Sequence, residues 1–103
     1  MTGEMARVTN GDMQKPRQLE KIVKGFSNHR RIEILQLLDR QSELSLFEIA
    51  EVLRINMKTA SEHTRRLAIA GLVFKRYEGN IVRHALAPLG KSILKFLRIL
   101  ELE

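Results

Sequence analysis

The feature that most constrains this 103-residue chain is a pair of short, punctuated helices followed by a change of hydrophobic period. Ser45-Leu46-Phe47-Glu48 is a capping box, in which the Ser45 and Glu48 side chains each satisfy a backbone donor that a helix start leaves free. Behind it Leu46, Ile49, Ala50 and Leu53 fall at i, i+3, i+4 and i+7, the amphipathic spacing. Three residues on, Asn56 is placed to cap a second helix with Ala60, His63, Leu67 and Ala70 on its inner face. Gly71 stands where a left-handed residue ends such a helix. Residues 72–77 and 81–86 are then strand-like runs, separated by Glu78-Gly79-Asn80, a turn with two residues tolerant of positive φ. Two helices joined by about three residues, the second polar outside, predict a helix-turn-helix with a hairpin behind it.

The flanks read as further helices. Pro16 opens one, carrying Leu19, Ile22, Val23 and Phe26 at helical spacing. Ser27 or Asn28 caps the next, which runs to about Arg40 with Ile32, Leu35 and Leu38 on one stripe and Ile34 and Leu37 beside it; residues 41–44 are a polar connection. Pro88 opens the last, with Leu89, Ile93, Phe96 and Leu100 on one stripe and Leu94, Leu97, Ile99 and Leu102 around it. Residues 1–15 have no period and are expected to be a flexible arm, leaving 16–103 as one domain. The expected fold is mainly α with a small β-hairpin, about five helices and two strands. A helix apolar on more than one face wants more than one neighbour. The expected second neighbour is another copy, with Leu19, Ile22, Val23 and Phe26 meeting Ile93, Phe96, Leu97 and Leu100 across a two-fold axis.

Composition narrows the function. Apolar residues at 44% and charged residues at 29% exclude a disordered chain. No apolar run approaches the ~20 residues of a membrane span, and no secretory start is apparent, so a cytoplasmic protein is expected. Zero cysteines remove disulfides, thiolate metal sites and thiol catalysis. His29, His63 and His84 are too scattered to suggest a metal cluster, and no cofactor is expected. His63 is expected to pack under the second helix of the pair and His84 to point off the hairpin. Ser27 near His29 is a cap beside a helix start, not a nucleophile with an oriented base. No Gly-rich phosphate loop or H-E-x-x-H is present, so no enzyme is expected. Lys and Arg number 18 against 12 Asp and Glu, a net +6. From Arg54 to His84 seven basic residues stand against two acidic, +5, while eleven against ten elsewhere leave +1. A local excess of this kind is the footprint of a polyanionic partner.

From about Ile22 to Leu100 the chain resembles the ArsR-type winged helix-turn-helix repressors. Gly25 to Leu35, reading GFSNHRRIEIL, is similar to that family's "ALGDPTRLRIL", and Ile49-Ala50-Glu51-Val52-Leu53 to its "DLA..L". Thr59-Ala60-Ser61-Glu62-His63, with Leu67 and Ala70-Gly71-Leu72-Val73, is similar to "TVSxHLxxLxxAGLV"; Glu78-Gly79 and Leu86 sit where the wing's "REG…L" falls. MarR-type regulators share the general plan. The departures concern metals. Ser45 and Phe47 occupy the thiolate positions of the metal sensors' "ELCVCDL", and Leu89 to Glu103 holds neither Asp nor His. Thr64 stands where leucine is usual and Arg66 where an aliphatic is common. The resemblance implies a homodimeric, sequence-specific DNA-binding repressor on a pseudo-palindromic operator, without the family's cysteine metal site. Its partners are then double-stranded DNA and a second copy, with an inducer, small molecule or protein, unidentified.

The N-terminal part of a recognition helix enters the major groove and reads base edges. Lys58, Thr59, Ser61, Glu62 and Arg65 lie off the apolar stripe and are the candidates, with Arg66 beside them. Arg65 suits guanine and Glu62 a cytosine amine; alternatively they are a surface i, i+3 pair. Met57 either touches a thymine methyl or packs on Ile55. Arg76, Asn80 and Arg83 on the hairpin suit phosphate or the minor groove, or else guard an edge strand. Arg30, Arg31 and Arg54 are further phosphate candidates. Two other functions share this composition: a winged-helix protein-interaction module, and non-specific, chromatin-like DNA binding.

Overall fold

Each helix begins where the sequence supplies a start. In the computed structural model, which describes residues 15–103, α1 spans Pro16–Phe26 with proline in its first turn. The expected arm falls outside those residues but for Lys15. Helix α2 is His29–Arg40, and Asn28 is its cap, the Oδ1 accepting from the N–H groups of Arg30 at 2.9 Å and Arg31 at 3.2 Å. Helix α3 is Leu46–Leu53 behind the full capping box: Ser45 N–H donates to Glu48 Oε1 at 2.8 Å, and Glu48 N–H to Ser45 Oγ at 3.2 Å. Helix α4 is Met57–Ile69, capped by Asn56 Oδ1 at 2.7 Å from the Thr59 nitrogen. It ends on Gly71, whose φ of +80° lets the Leu72 N–H return to the Leu67 carbonyl at 2.9 Å. Helix α5 is Pro88–Glu101.

The expected hairpin is present as β2 (Val73–Glu78) and β3 (Ile81–Leu86), joined by Gly79-Asn80. Of the two turn residues only Gly79, at φ +60°, uses the left-handed region, the pattern of a type II′ turn. A strand not anticipated from the sequence, β1 (Leu44–Ser45), pairs antiparallel with β3, placing Leu44 opposite His84 and Ser45 opposite Arg83. The sheet order is β1-β3-β2, so β3 is the middle strand. Two residues carry no readable period. Glu43, left-handed at φ 67°, turns the polar connection into the sheet, its N–H reaching the His84 carbonyl at 2.9 Å.

Ile34, Leu35, Leu37 and Leu38 of α2 form the centre of the core, closed by Ile49, Leu67, Leu72, Val73 and Leu86. Ile32 is only half-buried. From α5, Leu94 enters the core, with Leu89, Ile93 and Leu97 at its margin; Phe96, Ile99 and Leu100 stay exposed. The core of that helix is therefore centred one position beside the expected Leu89-Ile93-Phe96-Leu100 stripe. Thr64 is buried, its hydroxyl donating to the Ser61 carbonyl at 3.0 Å, so the polar residue at a leucine position is satisfied locally. His84 does not point off the hairpin. It is 2% exposed, with Nδ1 donating to the Leu44 carbonyl of the neighbouring β1 at 2.9 Å.

Candidate nucleic-acid interface

Helix α4 buries Ala60, Thr64 and Leu67 and turns its opposite side to solvent. Lys58, Ser61, Glu62 and Arg65 are exposed at i, i+3, i+4 and i+7, one row along the helix. Thr59 is half-buried at the margin, and exposed Arg66 lies on the flank. Glu62 ties this face together: Arg65 Nη2 donates to it at 2.7 Å and Arg66 Nε at 3.1 Å. The two guanidinium hydrogen bonds hold the Glu62 carboxyl below its ordinary range. The surface-pair alternative for Arg65 and Glu62 is thus the geometry of the free protein. Exposed pairs of this kind are weak and open readily. His63 is half-buried under the helix as expected, with burial holding its pKa down.

A groove of about 690 Å³ separates α4 and the first turn of α3 from the hairpin. Lys75, Tyr77 and Arg83 reach it from the strands and Asn80 from the turn, opposite Ser61 on α4 and Phe47 and Glu48 on α3. Strand pairing sorts the hairpin's charges. Lys75 opposite His84 and Tyr77 opposite Val82 share the face of the buried Val73–Leu86 pair, whereas Arg76 and Arg83 pair on the other face. Two arginines side by side repel, and three acids offset them. Arg76 Nε donates to Glu43 at 2.7 Å. Arg83, a quarter exposed, reaches the Glu43 carbonyl at 3.3 Å and the Glu48 and Glu78 carboxylates at 3.4 Å. Arg83 braces β3 against β1 and α3. Edge protection applies to Arg76 alone, since β3 has neighbours on both sides. Lys75 and exposed Tyr77 escaped the sequence reading; alternation from the apolar Val73 places them on one face with it.

Of the other phosphate candidates, Arg30 and Arg31 have local partners, whereas Arg54 is exposed and only its backbone is engaged. Arg30 pairs with Glu33 at 3.0 Å, and Arg31 Nη1 donates to the Lys24 and Gly25 carbonyls that end α1, both at 3.2 Å. Arg54 is left-handed at φ 57° and closes α3. Met57 is 45% exposed, beside α4's outer row and not within the core. Among the described residues no group of three or more His, Cys, Asp or Glu could hold a metal, and no helix is long and apolar enough to cross a membrane.

The expected interface residues divide in two. Phe26 lies in the protomer's own core, with Ile22, Ile93 and Leu97 packed against it. Leu19, Val23, Phe96 and Leu100 remain between 42% and 52% exposed, an apolar surface on α1 and α5.

Comparison with known proteins agrees with this architecture. Residues 28–75 match the model of bacterial regulatory proteins of the arsR family. The cadmium resistance transcriptional regulatory protein CadC homolog of Staphylococcus aureus is 32% identical over 73 residues, 71% of this chain but only 60% of that protein's length. HlyU from Vibrio cholerae is 31% identical with a TM-score of 0.73, covering 88% of this chain and 100% of that one. A homodimeric winged helix-turn-helix DNA-binding domain of a possible ArsR-family regulator from Mycobacterium bovis is 30% identical, with a TM-score of 0.73 over 82% of this chain and 79% of that one. The chain belongs to the ArsR family of winged helix-turn-helix regulators. Within it, this is a member whose 103 residues include no cysteine.

Proposed function

We propose that this chain is a homodimeric, sequence-specific DNA-binding repressor that reads a pseudo-palindromic operator with α4. The observation that carries this is the exposed row Lys58-Ser61-Glu62-Arg65 on a capped helix, beside a groove that Lys75 and Asn80 enter from the wing. The first turns of α4 enter the major groove. Arg65 leaves Glu62 to make a bidentate contact with guanine, and Glu62 accepts from a cytosine amine. Lys58, Thr59 and Ser61 contact the neighbouring edges and backbone. Arg66, Lys75 and Asn80 hold phosphate, while Arg76 and Arg83 keep the wing at its angle. Leu19 and Val23 of one copy meet Phe96 and Leu100 of the other, setting two copies of α4 about one helical turn of DNA apart. Occupancy of the operator represses. Without the paired cysteines, release follows from a small ligand, a protein or a fall in abundance.

Selection of bound sequences from a random DNA pool tests the reading. The expected result is an inverted repeat with half-sites about one turn apart. On the selected duplex Arg65→Ala loses roughly tenfold or more, and far less on a scrambled one. Lys75→Ala weakens both alike and lowers the salt slope by about 0.9 for each phosphate the protein no longer neutralises. Binding without enrichment would favour the chromatin-like reading, and no DNA binding the protein-interaction reading.

A further inference from the structure

A second groove, about 320 Å³, lies between α1, α2 and the C-terminal half of α4. Lys21 and Lys24 of α1, Arg31 of α2, and Arg65 and Arg66 of α4 make its rim. Gly25 and Ala70 give it an apolar inner wall, and Ile69, 72% exposed, adds apolar surface at its edge. There α1 lies directly against the end of α4, since a Cβ on Gly25 would stand 2.4 Å from the Ala70 Cβ.

The rim holds more positive charge than its carboxylates balance. Glu20 pairs with Lys24 at 2.8 Å, and Glu62 is shared by Arg65 and Arg66. Lys21 and Arg31 have no carboxylate partner among the described residues. Arg31 spends Nη1 on the two carbonyls closing α1, and its Nε is buried with no partner among the described residues. Burial, and then the nearby Arg66 guanidinium, pull the Arg31 pKa down. A partly buried guanidinium beside a second one, with Lys21 and Lys24 on the same rim and too few carboxylates to balance them, is the arrangement an anion relieves.

We propose that this groove binds a small organic anion, a carboxylate carried on an apolar body. The carboxylate lies against Lys24, Arg65 and Arg66 beside the Arg31 guanidinium, with Lys21 adding charge at the rim, and the apolar body covers Ile69 and Ala70. A DNA backbone fits less well, because a phosphodiester rail has nothing to lay on Ile69. The bound carboxylate also draws Arg65 and Arg66 away from Glu62. If α4 reads DNA through Arg65, the anion competes with DNA for that guanidinium; this consequence rests on the proposed function, whereas anion binding does not.

The test titrates the DNA-free protein with octanoate, octanol and inorganic phosphate, following backbone amide shifts by NMR. Octanoate should give saturable shifts at Gly25, Ile69 and Ala70, bind about tenfold more tightly than phosphate, and leave octanol without effect. Lys21→Ala combined with Lys24→Ala, at exposed positions that leave the core intact, should weaken octanoate by about tenfold. Ile69→Ser should bring octanoate down to the level of phosphate. Shifts elsewhere, phosphate as tight as octanoate, or an unaffected lysine double variant would overturn the assignment. With the selected duplex, saturating octanoate should lower DNA affinity by about fivefold or more. Unchanged affinity on a protein that binds that duplex would overturn the competition.

Discussion

Gly90→Ala sets helix propensity against packing, and the structure decides the sign. Glycine inside a helix costs ~1 kcal/mol relative to alanine, so propensity alone predicts stabilisation. A Cβ at position 90, however, would lie 2.2 Å from the Leu72 carbonyl oxygen, 3.2 Å from its carbon and 3.3 Å from Leu86 Cδ2. Ordinary contact begins near 3.4 Å, so α5 must retreat by more than an ångström. The obstacle is backbone, not a flexible side chain, and its oxygen already accepts the Ala87 N–H at 3.0 Å. Leu72 itself is fully buried. Overpacking of this severity costs about 3 kcal/mol, which less the propensity gain leaves a loss of about 2 kcal/mol. At about 4–8 °C per kcal/mol for a domain near 100 residues, Tm should fall by roughly 8–16 °C. Thermal unfolding by circular dichroism at fixed protomer concentration measures it. A Tm equal to or above that of the unsubstituted protein would refute the reasoning, since it would mean that α5 slides off Leu72 at little cost.

The remaining expectations concern the site, pH and assembly. Glu62→Gln frees Arg65 and Arg66, so affinity for scrambled DNA should rise and the salt slope steepen by about 0.9 for each further phosphate neutralised, while discrimination between selected and scrambled duplexes falls; weaker binding to scrambled DNA would contradict this. Burial, with Lys75 opposite it in the ladder, holds the His84 pKa below 6.5, so the unfolded chain takes up a proton that the fold refuses and stability present above pH 6.5 declines as pH falls below it. The fall in Tm from pH 7.5 to pH 5 should therefore be smaller in His84→Gln, with the decline that persists assigned to His63; equal slopes would show that His84 is not the group responsible. Val23→Glu with Leu100→Glu, both about half exposed, should turn a dimer into a folded monomer in analytical ultracentrifugation with the helical circular dichroism kept. Ile93 and Leu97 would be poorer choices, because they also pack on the protomer's own core.

Strong local signals in the sequence correspond to strong local hydrogen bonding. The Ser45–Glu48 box, the Asn28 and Asn56 caps and Gly71 are each legible because one residue type satisfies backbone groups that nothing else nearby can. The outer row of α4 was legible for a related reason: once its caps and apolar stripe are fixed, 3.6-residue geometry leaves Lys58, Ser61, Glu62 and Arg65 nowhere else to point. The second groove was not legible. It exists because Gly25 lets α1 lie against Ala70, and that contact spans 45 positions of sequence with no local pattern to announce it.

The wing shows how one small omission spreads. Alternation along a strand says which residues share a face, but not which face is inward; that choice comes from what packs on the strand. Without β1, the 81–86 segment reads as an exposed edge, His84 points to solvent, and the arginines at 76 and 83 look like its free cations. Packing of the Val73–Leu86 face on the core, with the Leu44 carbonyl accepting from His84 Nδ1, reverses the assignment. His84 becomes core, Arg83 falls on the face where Glu43, Glu48 and Glu78 hold it, and Lys75 is carried round to the groove beside α4. The face that packs on the core, with a two-residue strand too short to have a period of its own completing it, therefore decides which of the wing's cations is left without a carboxylate partner among the described residues.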